Sequence, residues 1–308
     1  MKVLFQNRPK DLWIGGDMIQ LEKTMEALAK KGIEVEFNDQ GIYTPALRYR
    51  SFDIIHLFNF SMQWTRSQLY IARMHKKPVV CSMIYHESDQ FVPYKHQQIM
   101  IDHIDSAIFL APTELERVKR HLKIKDEIVS YIPNGIDKMF FKKVQRSVDI
   151  PRFALTVGRI EPHKGQLHVA QACKELGITY ICIGERSDQD YARLCEKAGA
   201  FIEKPKTPEQ LIKFYAQCAV YVLASRAEVM PLTVMEAGAQ GKNIVLTDHC
   251  EYDFPNTVSC EYGNKESIKK SIQEALKKPY NQVLEDQLRE MTWDKVADQL
   301  INIYKKLV

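Results

Sequence analysis

Residues Tyr221–Asp248 read YVLASRAEVMPLTVMEAGAQGKNIVLTD, and this run decides the architecture. Tyr221 to Ala224 is an apolar run of strand length, and Ser225 to Met230 form a short loop. Pro231 is expected at the first helical position, where its missing N–H costs no hydrogen bond. Leu232, Val234, Met235 and Ala239 then continue an apolar helix, Gly241 closes it, and Ile244 to Leu246 start another strand. This is one strand–helix–strand unit. Two carboxylates set it apart: Glu228 in the loop and Glu236 on the helix, with seven residues between them.

Glu228 sits where the strand delivers the chain to a helix N-terminus, whose first amides lack intrahelical partners and carry partial positive charge. Such a terminus suits an anion, above all a phosphate. A carboxylate at each edge of a phosphate site accepts hydrogen bonds from sugar hydroxyls on either side, which describes a nucleotide diphosphate sugar. Taken singly, Glu236 reads better as an ordinary surface residue of an amphipathic helix, and Glu228 as a helix-favouring charge near its start.

The same alternation of strands and helices extends in both directions. Before the run, strands are expected at Lys2–Asn7, Ile33–Phe37, Ile54–Phe58, Pro78–Ile84, Ala107–Leu110 and Ile128–Ile132, with helices at Asp17–Lys31, Gln63–His75 and Thr113–Leu122. Further strands are expected at Phe153–Val157, Thr179–Ile183 and Phe201–Glu203, with helices from Gln166, at Gln189–Ala198 and at Pro208–Gln217. Strands alternating with helices imply parallel sheets covered on both faces, an α/β, Rossmann-like class. No GxGxxG follows the first strand, so the dinucleotide fingerprint is absent. The polar stretch Lys138–Pro151 has no clear period and reads as a linker. The last stretch, MTWDKVADQLINIYKKLV, places Trp293, Val296, Ala297, Leu300, Ile301 and Tyr304 at helical spacing.

Several shorter features carry chemistry. Gly15 and Gly16 in IGGD, between the first strand and helix, permit close backbone approach to a ligand or simply form a turn. His86 follows the strand VVCSMIY, and ligands of open α/β sheets sit outside the carboxyl ends of strands. In FALTVGRIEPHKG, Gly158 opens a loop flanked by Arg159 and Lys164, two cations suited to neutralise a diphosphate.

With these motifs in order, the chain resembles the retaining GT-B glycosyltransferases of family 4, also called glycosyl transferases group 1. The matching residues are AEVMPLTVMEAGAQGK around Glu228 and Glu236, GRIxxxKG at Gly158–Gly165, IPNGID at Ile132–Asp137, and the Gly15–Gly16 loop followed by KKGIEVE. The resemblance implies two Rossmann-like domains with parallel sheets facing across a cleft: an acceptor-side domain at 1–145 and a donor domain at 151–292. A last helix, about 293–308, is expected to cross back to the first. It further implies that Glu228, His86, Arg159 and Lys164 do the catalytic work, with Arg159 and Lys164 gripping the donor pyrophosphate and His86 facing the donor sugar. Glu236, Val229, Met230, Pro231, Leu232, Thr233, Gly158, Gly15 and Gly16 would line the donor site. Phe201–Thr207 would wall the nucleotide base. VMPL after Glu228 departs from the usual Gly and aromatic residue, and the first domain is short for the family; both bear on substrate identity.

The implied activity is retaining transfer of a hexose from a UDP- or GDP-linked sugar to an acceptor hydroxyl, in glycan or glycolipid synthesis. No DxD motif stands out, so neither a metal nor another cofactor is expected. A sugar-nucleotide epimerase of the same architecture, or a non-catalytic nucleotide-sugar-binding subunit, remains the alternative.

Composition agrees with a globular protein able to bury a core: 308 residues, 45% hydrophobic and 27% charged. No apolar run suits a signal peptide or membrane span. Seven scattered cysteines without a CxxC pair read as reduced, mostly buried thiols of a cytosolic protein. The whole excess charge of +4 lies in residues 1–150, which hold 22 Lys and Arg against 18 Asp and Glu. There, TELERVKRHLKIK reads as a solvated basic helix, or as a peripheral surface for anionic lipid at the inner face of a membrane. Glycan, lipid-linked or small-molecule acceptors are the expected partners beside the donor, and nucleic acid is not.

Overall fold

Short runs of β-branched and aromatic residues, too brief for helices, form strands throughout the chain. In the computed structural model, which describes residues 1–8, 15–38, 46–60, 63–85, 92–145 and 152–308, they build two separate six-stranded sheets. Each sheet belongs to its own compact unit: residues Met1–Gly135 with Met291–Val308, and residues Ile136–Glu290.

In the first unit the strands are β1 (Lys2–Gln6), β2 (Glu34–Asn38), β3 (Ile54–Phe58), β4 (Val79–Ser82), β5 (Ser106–Phe109) and β6 (Val129–Tyr131). They are all parallel, in the order β2-β1-β3-β4-β5-β6. The helices between them are α1 (Gly16–Lys30), α2 (Gln63–Met74), α3 (Tyr94–Ile101) and α4 (Pro112–Lys119). Both faces of the sheet are buried, which explains the near-continuous apolar strands. Within β3, Ile55 and Leu57 join one core, and Ile54 and Phe58 the other. Arg8, just past β1, is ion-paired with Asp17 in the first turn of α1.

The second unit contains β7 (Phe153–Val157), β8 (Thr179–Ile183), β9 (Ala200–Glu203), β10 (Val220–Leu223), β11 (Ile244–Thr247) and β12 (Val258–Cys260). These too are parallel, in the order β12-β11-β10-β7-β8-β9. Its helices are α5 (Gln166–Glu175), α6 (Gln189–Lys197), α7 (Pro208–Gln217), α8 (Leu232–Ala239), α9 (Lys265–Ala275) and α10 (Gln282–Arg289). Val169, Tyr191 and Ile272, from α5, α6 and α9, share one core with Ala154, Val222 and Val245 of the sheet. On α8, Gly238 lies so close to Leu284 and Leu288 of α10 that a Cβ there would approach within 2.7 Å.

One expectation is corrected. Pro231 is not the first helical residue: it is extended, with φ −69° and ψ 122°, and stands as the N-cap of α8. Its carbonyl accepts from Val234 N–H at 3.2 Å, so the helix starts one residue later. The stretch read as a linker, Lys138–Pro151, has local structure in its described part. Lys138–Phe141 form a 3₁₀ turn capped by Asp137, and Lys143 Nζ reaches the buried Glu285 of α10 at 2.8 Å. Residues 146–151 lie outside the described residues.

After α10 the chain returns to the first unit as α11 (Trp293–Leu307), capped by Thr292. Val296, Ala297, Leu300 and Tyr304 bury themselves with Leu21 and Leu28 of α1 and with Val3 and Phe5 of β1. Beneath them His56 of β3 is fully buried, with its ring nitrogens 2.6 Å from Tyr304 Oη and 2.9 Å from Ser82 Oγ. Burial pushes its pKa down to about 3. At Gly135 a Cβ would lie 2.5 Å from the backbone nitrogen of Trp293, so only glycine fits where the IPNG turn meets α11. All seven cysteines are free, with six buried and Cys250 half-buried.

Candidate functional site

In an open α/β sheet the crevice for a ligand opens where the strand order reverses, outside the carboxyl ends of the two strands concerned. In the second unit that place is between β7 and β10, because the chain proceeds from β7 outward to β9 and then returns to β10 on the other side. The segments leaving those two strands are Gly158–Gly165 and Ala224–Pro231. They hold Arg159, Lys164 and Glu228, and α8 adds Glu236.

Glycine sets how closely these segments pack. Gly165 is in the left-handed region, φ +71°, and a Cβ on it would fall 2.2 Å from the carbonyl oxygen of Ala224. Gly184, after β8, is as tight: a Cβ would stand 2.0 Å from the carbonyl oxygen of Gly158. Backbone bonds complete the frame. Arg226 N–H donates to His163 O at 2.8 Å, and Ile160 N–H to Glu185 O at 2.8 Å.

The side chains on this frame meet in pairs. Lys164 Nζ donates to Glu228 Oε1 at 2.7 Å, and both are largely buried, at 19% and 9% side-chain exposure. Arg159 pairs with Glu161 at 3.0 Å and stays more open, at 32% exposure. The Glu228 backbone is fixed on both sides: its N–H donates to His249 O at 3.0 Å, and its carbonyl accepts from Glu251 N–H at 2.9 Å. Ser225 Oγ is buried beside these groups in sequence and has no hydrogen-bond partner among the described residues.

Helix α8 points its first turn at the same end of the sheet. Leu232 and Thr233 precede the first helical N–H bond, so their amides belong to the terminus that favours an anion. Val229 and Met230 are buried, and the Val229 carbonyl accepts from Tyr252 N–H at 2.9 Å. Glu236 is half-buried and accepts from Tyr215 Oη at 2.6 Å. Its burial raises the carboxyl pKa to about 7; the Tyr215 bond opposes that rise and nearby Asp137 adds to it. Tyr221 Oη donates to Thr233 Oγ1 at 2.7 Å.

Gly15 and Gly16 belong to the first unit, as the N-cap and first residue of α1, after β1 at its own switch point. His86 lies outside the described residues. Among the described residues no group of three or more His, Cys, Asp or Glu gathers as metal ligands. No helix among them is long and apolar enough to cross a membrane. Sequence reasoning missed Glu161, the segment His249–Tyr252, and the two tyrosines. Tyr215 is 21 residues from its partner, a distance at which no sequence period signals contact.

Two parallel α/β units, one with paired cations and carboxylates at its switch point, define a protein of the GT-B fold. The family model described as Glycosyl transferases group 1 matches residues 137–302, more than half of the chain, and the chain belongs to that family. Among solved structures it is similar to sucrose-phosphate synthase from Thermosynechococcus elongatus, with TM-score 0.81, 14% identity, and 99% and 98% of the two chains covered. It is also similar to Anabaena HepE in complex with UDP and glucose, with TM-score 0.78, 14% identity and all of both chains covered. The catalytic domain of starch synthase IV from Arabidopsis thaliana, bound to ADP and acarbose, gives TM-score 0.71 at 12% identity, with 99% and 98% covered. No curated protein matches the chain in sequence.

Proposed function

We propose that the protein is a retaining glycosyltransferase that moves a hexose from a nucleotide diphosphate sugar, UDP- or GDP-linked, to an acceptor hydroxyl in glycan or glycolipid synthesis. The observation that carries this is the Lys164–Glu228 pair at the β7/β10 switch point, with Arg159 on the same segment as Lys164 and the α8 N-terminus following Glu228. As the sugar C–O bond breaks, negative charge grows on the diphosphate. Arg159, Lys164 and the amides of Leu232 and Thr233 supply positive charge for it. An arriving diphosphate competes with Glu161 for Arg159 and with Glu228 for Lys164. Released in this way, Glu228 becomes an acceptor for sugar hydroxyls, and Glu236 accepts from the ribose. The ligands bound in two similar structures, UDP with glucose and ADP with acarbose, support a donor of this class.

The test is a thermal-shift screen of UDP, GDP, ADP and their sugars, followed by transfer assays with the series that stabilises the protein. Arg159→Ala is expected to weaken nucleotide diphosphate binding about tenfold or more, the loss of a charge-assisted contact. Glu228→Gln is expected to abolish transfer while the protein still folds, at a lower melting temperature because Lys164 loses its charged partner. Full transfer by Glu228→Gln, or no stabilisation by any nucleotide at millimolar concentration, overturns the proposal.

A further inference from the structure

Two buried tyrosines stand beneath α8, from different elements. Tyr215 of α7 and Tyr221 of β10 have ring centroids 5.8 Å apart, and Phe140 meets Tyr215 edge-on at 6.3 Å. Both tyrosines are inaccessible to solvent. Tyr215 donates its hydroxyl to Glu236 of α8, while Tyr221 bonds Thr233 of α8 at 2.7 Å and also the Val157 carbonyl of β7 at 3.3 Å. A hydroxyl donor fixes a carboxylate more strongly than it fixes a neutral carboxyl group, because a charge-assisted bond is the stronger one. The Tyr215 bond leaves Glu236 Oε1 as the oxygen for a ligand.

We propose that Tyr215 is a positioning residue for nucleotide-sugar binding: its hydroxyl holds Glu236 as an accepting carboxylate and thereby sets the pH below which the donor is released. This rests on the donor site described under Proposed function. The groups around Glu236 are Tyr215 on α7, Tyr221 on β10 and Asp137 before the 3₁₀ turn. No cation is among those that shift its titration. Burial and Asp137 both work against the charged form of Glu236, and the Tyr215 hydrogen bond is what favours its ionisation. Once protonated, Glu236 presents a proton where the ribose hydroxyls need an acceptor, and affinity falls.

The experiment follows Glu236 first without ligand. In protein carrying ¹³C-labelled glutamate carboxyls, with the resonance assigned by Glu236→Gln, the wild type is expected to titrate at about 7. In Tyr215→Phe, which keeps the ring and its packing, the midpoint is expected to rise by about one to two pH units, the equivalent of a hydrogen bond to a charged group. Tyr221→Phe, which removes the neighbouring hydroxyl, leaves the midpoint in place. The second arm measures the Kd of UDP-glucose, GDP-glucose and ADP-glucose from pH 5.5 to 9, since a diphosphate diester has no proton to lose in that range. Wild-type affinity is expected to weaken about tenfold per pH unit below the midpoint. Tyr215→Phe should come within about twofold of the wild type at pH 9 and fall from its own higher midpoint, and Glu236→Gln should be weaker and flat. Equal midpoints in wild type and Tyr215→Phe, or a parallel offset at every pH, overturn the proposal. A shifted resonance with pH-independent affinity overturns it too but leaves the donor site standing. Binding of none of the three sugars removes both.

Discussion

Glu236 has a carboxyl that folding makes harder to ionise, since burial raises it from an ordinary 4.5 to about 7. A raised acid contributes its full stability below the unfolded pKa and loses it as pH rises through the folded one. The window is therefore about pH 4.5 to 7, and above it the folded protein bears the cost of a buried anion. Glu236→Gln retains an oxygen for Tyr215 and removes the charge. It is expected to raise stability at pH 8 by roughly 1–3 kcal/mol, with the gain gone near pH 4.5. Denaturant unfolding at pH 4.5, 6 and 8 checks this, and a gain that is equal at all three would assign the effect to packing. The same substitution is expected to weaken donor binding, a stability cost retained where a ligand is to be held. Lys164–Glu228 is the contrasting case, a largely buried pair whose charges satisfy each other.

At the scale of elements, what the sequence could disclose was set by range. Parallel strands buried on both faces are apolar over most of their length, so β3, β7 and β8 have the bounds that their runs suggest. The placement of Arg159, Lys164 and Glu228 on segments that leave β7 and β10, and of Glu236 on α8, was equally legible, because each lies a few residues from an apolar run. Helices α9 and α10 were not read, and α3 was missed for lack of an amphipathic stripe in its eight residues. Nor does any local pattern tell that the segment after Glu228 pairs with His249–Tyr252, or that three segments meet at glycine. The last point is testable. Gly184 is not in the left-handed region, so Gly184→Ala meets no backbone strain of its own, yet its Cβ would press on the Gly158 carbonyl at 2.0 Å. The segment carrying Arg159 must move away, at a cost of about 1–3 kcal/mol. A fall in melting temperature together with weaker nucleotide diphosphate binding is expected. Unchanged binding would show that the Gly158–Gly165 segment tolerates displacement.

Across the whole molecule the chain gives nearly equal lengths to its two units but threads them differently. The second unit is one uninterrupted stretch, Ile136–Glu290, whereas the first is closed by the final helix after the chain has completed the second. Leu300 lies at the centre of that closure, 2% exposed among Leu21, Leu28 and Tyr304. Leu300→Ala removes buried methyl groups and leaves a cavity, which costs about 2–5 kcal/mol. Tyr304 would then hold less firmly over His56, whose buried ring needs both its partners. The loss should be confined to one unit, because the core of the second around Val222 and Ile272 includes, among the described residues, none from α11. Amide exchange in Leu300→Ala is thus expected to quicken in β1, β3 and α1 while β7, β8 and β10 retain wild-type protection. Faster exchange in both sheets would instead show that the two units open as a single cooperative body, with α11 governing the stability of the whole chain.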